Sequence, residues 1–69
     1  MVYTNAQARE AIERTIHSER DRRIMIRRLI DGICYEPLAE EFDMSVRQIK
    51  RIVKKHKNTI FAHMQKMAL

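Results

Sequence analysis

A chain of 69 residues with 14 lysine and arginine side chains against 9 aspartates and glutamates carries a formal net charge of +5. This length suits one small basic domain, residues 1–69, and leaves no room for the cleft of a multi-step enzyme, so we do not expect an enzyme. One Gly, one Pro and 45% hydrophobic residues exclude a low-complexity chain and favour an all-α fold. A lone Cys excludes an internal disulfide, and the absence of a long apolar run or a secretory start predicts a cytoplasmic protein with no membrane partner.

The first predicted helix covers residues 5–17. Thr4 and Gln7 have the spacing of a capping box, in which the hydroxyl accepts from the third backbone N–H and the amide side chain reaches back to the cap. Glu10 and Arg14 form an i, i+4 pair on the polar face. A thin apolar stripe recurs at spacings of three and four residues: Ala8, Ala11, Ile12 and Ile16.

A second helix is predicted over residues 19–31. Ser18 followed by Asp21 offers another cap and favours a break after the first helix, although a continuous helix is the alternative because no Gly or Pro interrupts this stretch. Gly32 is expected to take the left-handed conformation that ends a helix, since it has no Cβ. The apolar residues on one arc of this helix and just after it are Ile26, Leu29, Ile30 and Ile33.

A short third helix is predicted over residues 37–42, because Pro37 suits the first turn of a helix, where a missing N–H loses no partner. Ser45 is a good N-cap for a fourth helix. A step of about 100° per residue puts Ile49 and Val53 on one side of that helix. The opposite half of the fourth helix is basic and carries Arg47, Arg51, Lys54 and Lys55.

The charge is divided unevenly along the chain. Residues 1–43 hold 7 basic and 9 acidic residues, whereas residues 44–69 hold 7 basic residues and no acidic one. A solvated helix face is the plain interpretation of such a segment. The self-repulsion of an acid-free run favours a polyanion as its partner, and nucleic acid above all.

The short helix, the turn and the following helix resemble the helix-turn-helix DNA-binding motif. Ala39 stands where that family needs a small residue between crossing helices, and Asp43 replaces the Gly that is usual in the turn. Asp reaches the left-handed region more easily than most residues, at a cost of about 1 kcal/mol. Five positions that the motif keeps apolar hold Leu38, Phe42, Met44, Ile49 and Ile52. An arginine-rich helix is followed by Asp-Gly at 31–32, Tyr-Glu-Pro-Leu-Ala-Glu-Glu-Phe at 35–42 and Ser-Val-Arg-Gln-Ile-Lys at 45–50. With this order of segments, the chain over residues 20–57 also looks like region four of bacterial sigma factors and related small regulators.

The resemblance implies a small trihelical helix-turn-helix core (motif 35–57) with an extra N-terminal helix and a helical C-terminal extension. Its second helix, about residues 45–57, is expected to enter the major groove of double-stranded DNA. The residues expected to read base edges are Ser45, Arg47, Gln48, Lys50 and Arg51. Those expected to touch phosphates are Lys54, Lys55 and Lys57. The upstream arginines, for which a solvated face is expected in most cases, are Arg22, Arg23, Arg27 and Arg28.

Two questions stay open for the C-terminal segment, residues 58–69. The helix of the motif either extends past Asn58 and Thr59 or restarts after them. The apolar side chains of the segment either fold back on the first helix or form a homodimer interface. Such an interface lets two helix-turn-helix units span DNA half-sites about 34 Å apart. The residues concerned are Ile60, Phe61, Met64 and Met67.

No cofactor, metal or small-molecule ligand is expected. His17, His56 and His63 lack the short spacing of zinc ligands. Cys34 lacks the base and the orienting group that a nucleophile needs. His56 is interpreted as a residue at the edge of the core.

The patterns and the resemblance together predict sequence-specific binding of double-stranded DNA by a bacterial or phage transcriptional regulator associated with the nucleoid. An architectural or packaging adaptor, such as the small subunit of a phage terminase, is the alternative that uses the same motif. A module that binds another protein without binding DNA is the third interpretation.

Overall fold

Four α-helices make up residues 4–68, the part of the chain that the computed structural model describes, with side chains described for residues 4–66. No strand occurs in that part, which confirms the all-α prediction. Helices α1 and α2 each end two residues before the predicted bounds of 17 and 31. The four helices are α1 (Asn5–Thr15), α2 (Glu19–Leu29), α3 (Tyr35–Glu41) and α4 (Val46–Ala68).

The caps expected at the starts of α1 and α2 are both present. Gln7 donates its backbone N–H to Thr4 Oγ1 at 3.1 Å, and Thr4 donates its own to Gln7 Oε1 at 2.9 Å, which completes the capping box. Ser18 caps α2 by accepting from the backbone N–H of Asp21 at 3.3 Å. Between the two helices Ile16 is extended and its side chain is buried, so the chain breaks where the caps predict.

Helix α3 begins at Tyr35, so the prediction that Pro37 opens it was wrong by two residues. The first hydrogen bond of α3 joins the Leu38 N–H to the Cys34 carbonyl at 3.1 Å. Pro37 precedes that bond and lies among residues whose N–H groups have no partner in the helix, so it still costs α3 nothing. Gly32, between α2 and α3, has the expected left-handed conformation with φ of 70°.

The turn between α3 and α4 contains Asp43 in the left-handed conformation, with φ of 53°. Helix α4 begins at Val46 and runs unbroken to Ala68, so Asn58 and Thr59 do not interrupt it. The second helix of the motif and the C-terminal segment are therefore one helix of 23 residues.

The core lies where α4 packs against the other three helices. The first half of α4 contributes Ile49 and Val53 to this core, and the second half of α4 contributes Ile60 and Met64. Each of these side chains is at most 4% exposed. Burying one such side chain stabilises a fold by about 1.5–3 kcal/mol. The other buried members of this hydrophobic cluster are Ala11, Ile12, Ile16, Ile24, Met25, Leu38 and Ala39.

The C-terminal segment folds back within the chain. Ile60 and Met64 belong to the cluster that contains Ile12 of α1. The structure does not support a homodimer interface at these two residues, because the core of their own chain already covers them. Phe61 is exposed, and the side chain of Met67 lies outside the described residues.

Candidate nucleic-acid interface

The solvent-facing side of α4 is basic from its first turn onward. Val53 and Ile49 face the core, and the residues that lie opposite them at helical spacing are exposed. Helix α4 has no acidic residue between Val46 and Ala68. The exposed cations of this face, which we call the basic face, are Arg47, Lys50, Arg51, Lys54, Lys55 and Lys57.

The cations of α4 differ from the cations earlier in the chain in whether they form hydrogen bonds and ion pairs. Six of the seven arginines in residues 1–43 donate hydrogen bonds to other groups of the chain. Within the described residues, no lysine or arginine of α4 forms a hydrogen bond or an ion pair. The positive charge that remains available to an outside anion is thus concentrated on one helix.

Two of the upstream arginines hold the fold together, so a solvated face was the wrong expectation for them. Arg22 donates to the backbone carbonyls of Ile16 and Glu13, which are unpaired groups at the end of α1. Arg27 Nη2 lies 2.9 Å from Glu41 Oε1, and Arg27 Nη1 donates to Asp31, two residues after the end of α2. The bonds to these carboxylates raise the pKa of Arg27 and tie α2 to α3.

Ser45 and Gln48 form a second capping box at the start of α4. The Gln48 N–H donates to Ser45 Oγ at 3.1 Å, and the Ser45 N–H donates to Gln48 Oε1 at 3.0 Å. A two-bond contact with adenine needs the same amide oxygen, so the prediction that Gln48 reads bases conflicts with its role in the cap. The Ser-x-x-Gln pattern was the available sequence signal, identical in form to Thr4 and Gln7.

Arg47 and Arg51 are the predicted base readers that the structure leaves free. Both are exposed, one turn apart, and neither bonds to a described residue. Lys50 differs from them because its Nζ lies over the Tyr35 ring, 5.5 Å from the centroid. Lys57 similarly lies over Phe61, at 5.7 Å. The basic face therefore contains side chains free to extend and side chains placed beside aromatic rings.

A buried polar pair, absent from the sequence prediction, connects α4 to α2. Asp21 is 8% exposed, and its Oδ2 lies 2.9 Å from His56 Nε2. Burial raises the pKa of Asp21, but the bonds from His56 and from Arg20 outweigh this effect, and the net pKa is lowered. The backbone N–H of Asp21 also donates to Ser18 Oγ in the cap of α2. Asp21 therefore joins the start of α2 to the middle of α4.

An acidic groove borders the first turn of α4. Glu36, Glu40 and Asp43 line it together with residues of the turn. None of these three carboxylates pairs with a described cation. The carboxylates of this groove repel a polyanion, whereas the cations of the basic face attract it.

Within the described part of the chain, none of the helices has the length and apolar character of a transmembrane span. The same residues contain no group of three or more His, Cys, Asp or Glu side chains arranged to hold a metal ion.

Helices α2, α3 and α4, joined by a left-handed turn and presenting an unpaired basic face, define a helix-turn-helix domain, a DNA-binding fold. The family model of the homeodomain-like domain matches residues 16–59, and the chain belongs to this family. The matched region includes α2, α3 and the first half of α4. The finer resemblance to sigma region four is not confirmed. No significant match to the chain occurs among curated proteins or among solved structures.

Proposed function

We propose that the protein binds double-stranded DNA sequence-specifically, with the first half of α4 in the major groove. The observation that carries this proposal is the unpaired basic face on the second helix of a helix-turn-helix motif. The major groove is about 12 Å wide and admits one helix, and each base pair presents a distinct set of donors and acceptors there.

Arg47 and Arg51 are the proposed base readers. Each guanidinium can donate two parallel bonds to O6 and N7 of guanine, and a good pair of this kind discriminates against the wrong base by about 1–3 kcal/mol. Four residues along a helix rise about 6 Å, roughly the axial distance of two base-pair steps. The two arginines can therefore address nearby base pairs from one face of α4.

Lys54, Lys55 and Lys57 are the proposed phosphate contacts. They follow the base readers by one or two turns, and an ammonium group contacts phosphate oxygens without reading sequence. If five to seven phosphates are neutralised in all, the logarithm of the affinity falls with the logarithm of the salt concentration with a slope of roughly −5 to −6.

Selection from random duplexes at fixed salt tests this proposal. We expect an enriched sequence, which Arg47→Ala makes less selective because a base contact is lost. We expect Lys54→Ala to weaken the binding of all sequences by the same factor. Arg9→Ala is the matched control, because Arg9 is an exposed cation of α1 without a bond to any described residue.

The outcomes separate the candidate roles. A salt slope near zero overturns DNA binding altogether and leaves a module that binds protein. Steep salt dependence without an enriched sequence overturns base reading and indicates an architectural or packaging protein. An enriched sequence supports the proposed role as a transcriptional regulator of bacterial or phage type, and its symmetry reports whether two copies bind together.

A further inference from the structure

Tyr35 brings together two cations from different helices. The Arg28 guanidinium carbon lies 4.4 Å from the centroid of the Tyr35 ring, and Lys50 Nζ lies 5.5 Å from the same centroid. Arg28 belongs to α2, Tyr35 is the first residue of α3, and Lys50 is on α4. Helices α2, α3 and α4 thus each contribute one side chain to a single cluster.

The charges of this cluster are not neutralised within the described chain. Arg28 donates one bond, to the backbone carbonyl of Ile33 at 3.2 Å, and a guanidinium has five N–H donors. Lys50 donates none to a described residue. A shallow cavity opens at Tyr35 and Lys50, and Glu36, which also lines it, forms no ion pair with either cation.

The geometry suits an anion that carries several acceptor oxygens. The two cationic groups are at most about 10 Å apart, because each lies within 5.5 Å of one centroid. Like charges held this close repel each other, and the ring face offsets only part of that repulsion. A phosphate bound between them reduces the repulsion, and the Tyr35 hydroxyl supplies a neutral donor beside the two charged ones.

We propose that Arg28, Tyr35 and Lys50 together bind one backbone phosphate at the edge of the groove that α4 occupies. This inference depends on the proposed function and adds to its phosphate contacts Lys50, which the sequence analysis had predicted to read bases. Because the phosphate contacts three helices at once, it sets how far α4 enters the groove and thereby positions Arg47.

Equilibrium binding of two duplexes, the selected sequence and a scrambled one, tests the site across a salt series. Lys50→Ala is the decisive variant, because Lys50 is exposed and its loss does not threaten the fold. We expect it to weaken both duplexes by the same factor, about 10-fold or more. The Arg28→Ala/Lys50→Ala double variant is expected to lower the steepness of the salt slope by about one, the amount for one phosphate.

Tyr35→Phe separates the hydroxyl from the ring. It keeps the aromatic face against both cations, so we expect an unchanged salt slope and weaker binding of both duplexes. Arg23→Ala is the control, because Arg23 is an exposed arginine of the same helix that pairs only with Glu19.

Three results would overturn the assignment while leaving the proposed function intact. A changed base preference in Lys50→Ala makes Lys50 a base reader. A slope loss near two in the double variant means two separate phosphates. Lower thermal stability in Arg28→Ala with unchanged binding by every variant makes the cluster a purely structural contact. Wild-type protein that fails to bind either duplex contradicts the proposed function itself.

Discussion

The Asp21 carboxylate bonds to two neighbours, the imidazole of His56 on α4 and the guanidinium of Arg20 on its own helix. Because the folded pKa of Asp21 lies below the ordinary pKa of an unfolded aspartate, its contribution to stability is fully present above that ordinary pKa. The contribution is lost as the pH falls through the lower folded pKa. Acid is therefore expected to loosen the attachment of α4 to α2 before it affects the apolar core.

Replacing Asp21 by Asn tests this pair. We expect the free energy of unfolding at pH 7 to fall by about 1–3 kcal/mol, because the hydrogen bonds to the buried Asp21 carboxylate are weakened or lost. Urea unfolding from pH 7 down to pH 3 measures the effect, and the difference from the wild type should shrink at the acid end. Glu10→Gln, at an exposed surface pair, should change stability by less than about 0.5 kcal/mol. An equal loss in both variants would contradict the special role of Asp21.

Gln48 offers a second prediction about a single side chain. Gln48→Ala should destabilise the fold by up to about 1 kcal/mol, because it opens the capping box, whereas Gln48→Glu should keep the box. Thermal unfolding of the two variants measures this difference. If both variants unfold like the wild type, the capping box contributes nothing to stability and Gln48 is again a candidate base reader.

Helix α4 performs two tasks along its length, since its first half presents the basic face and its second half buries Ile60 and Met64. Ile60→Ala should lower the free energy of unfolding by about 2–5 kcal/mol, through lost burial and the cavity left behind. Phe61→Ala, one residue further along, should change it by less than about 0.5 kcal/mol because Phe61 is 36% exposed. Urea unfolding of the two variants, compared at several protein concentrations, provides the measurement.

A concentration-dependent midpoint that disappears in Phe61→Ala would contradict this view. It would show that Phe61 contacts a second copy of the chain and that the C-terminal half of α4 does more than complete the core.

The elements that sequence predicted well are those set by local chemistry. The Thr4 capping box, the break at Ser18 and the left-handed Gly32 each depend on residues a few positions apart. The pairs that sequence did not predict join distant positions, such as Asp21 to His56 and Arg27 to Glu41. Periodicity places each of these residues on a face of its helix, but the partner is known only once the helices are packed.

The same limit applies to the candidate interface. Spacing alone placed the basic face on the outer side of α4, because 3.6 residues per turn and one apolar stripe leave a single solution. Spacing could not assign Lys50, since the Tyr35 ring beside it belongs to another helix. Nor could spacing show that most upstream arginines donate hydrogen bonds to groups of the same chain. Because they do, the unpaired positive charge lies mainly on α4.

At the scale of the whole molecule, unpaired carboxylates lie close to the start of the basic face. The acids of the groove lie beside the first turn of α4, and the cations lie along its outer face. Glu40→Gln should therefore strengthen the binding of every DNA sequence alike, by about twofold at low salt, as one repulsion over roughly 10 Å is removed. Binding titrations at two salt concentrations measure this change, with Glu13→Gln of α1 as the control. A sequence-dependent gain would instead make Glu40 part of the reading surface.

The unbroken course of α4 has a consequence for how such a protein can change over time. Arg47 and Arg51 are exposed and form no hydrogen bond or ion pair with a described residue, while the opposite side of the same helix holds the core together. Substitutions on the outer side can therefore accumulate with little effect on folding. If Arg47 and Arg51 read bases as we propose, each such substitution changes the DNA site of the domain while the core side of α4 stays the same.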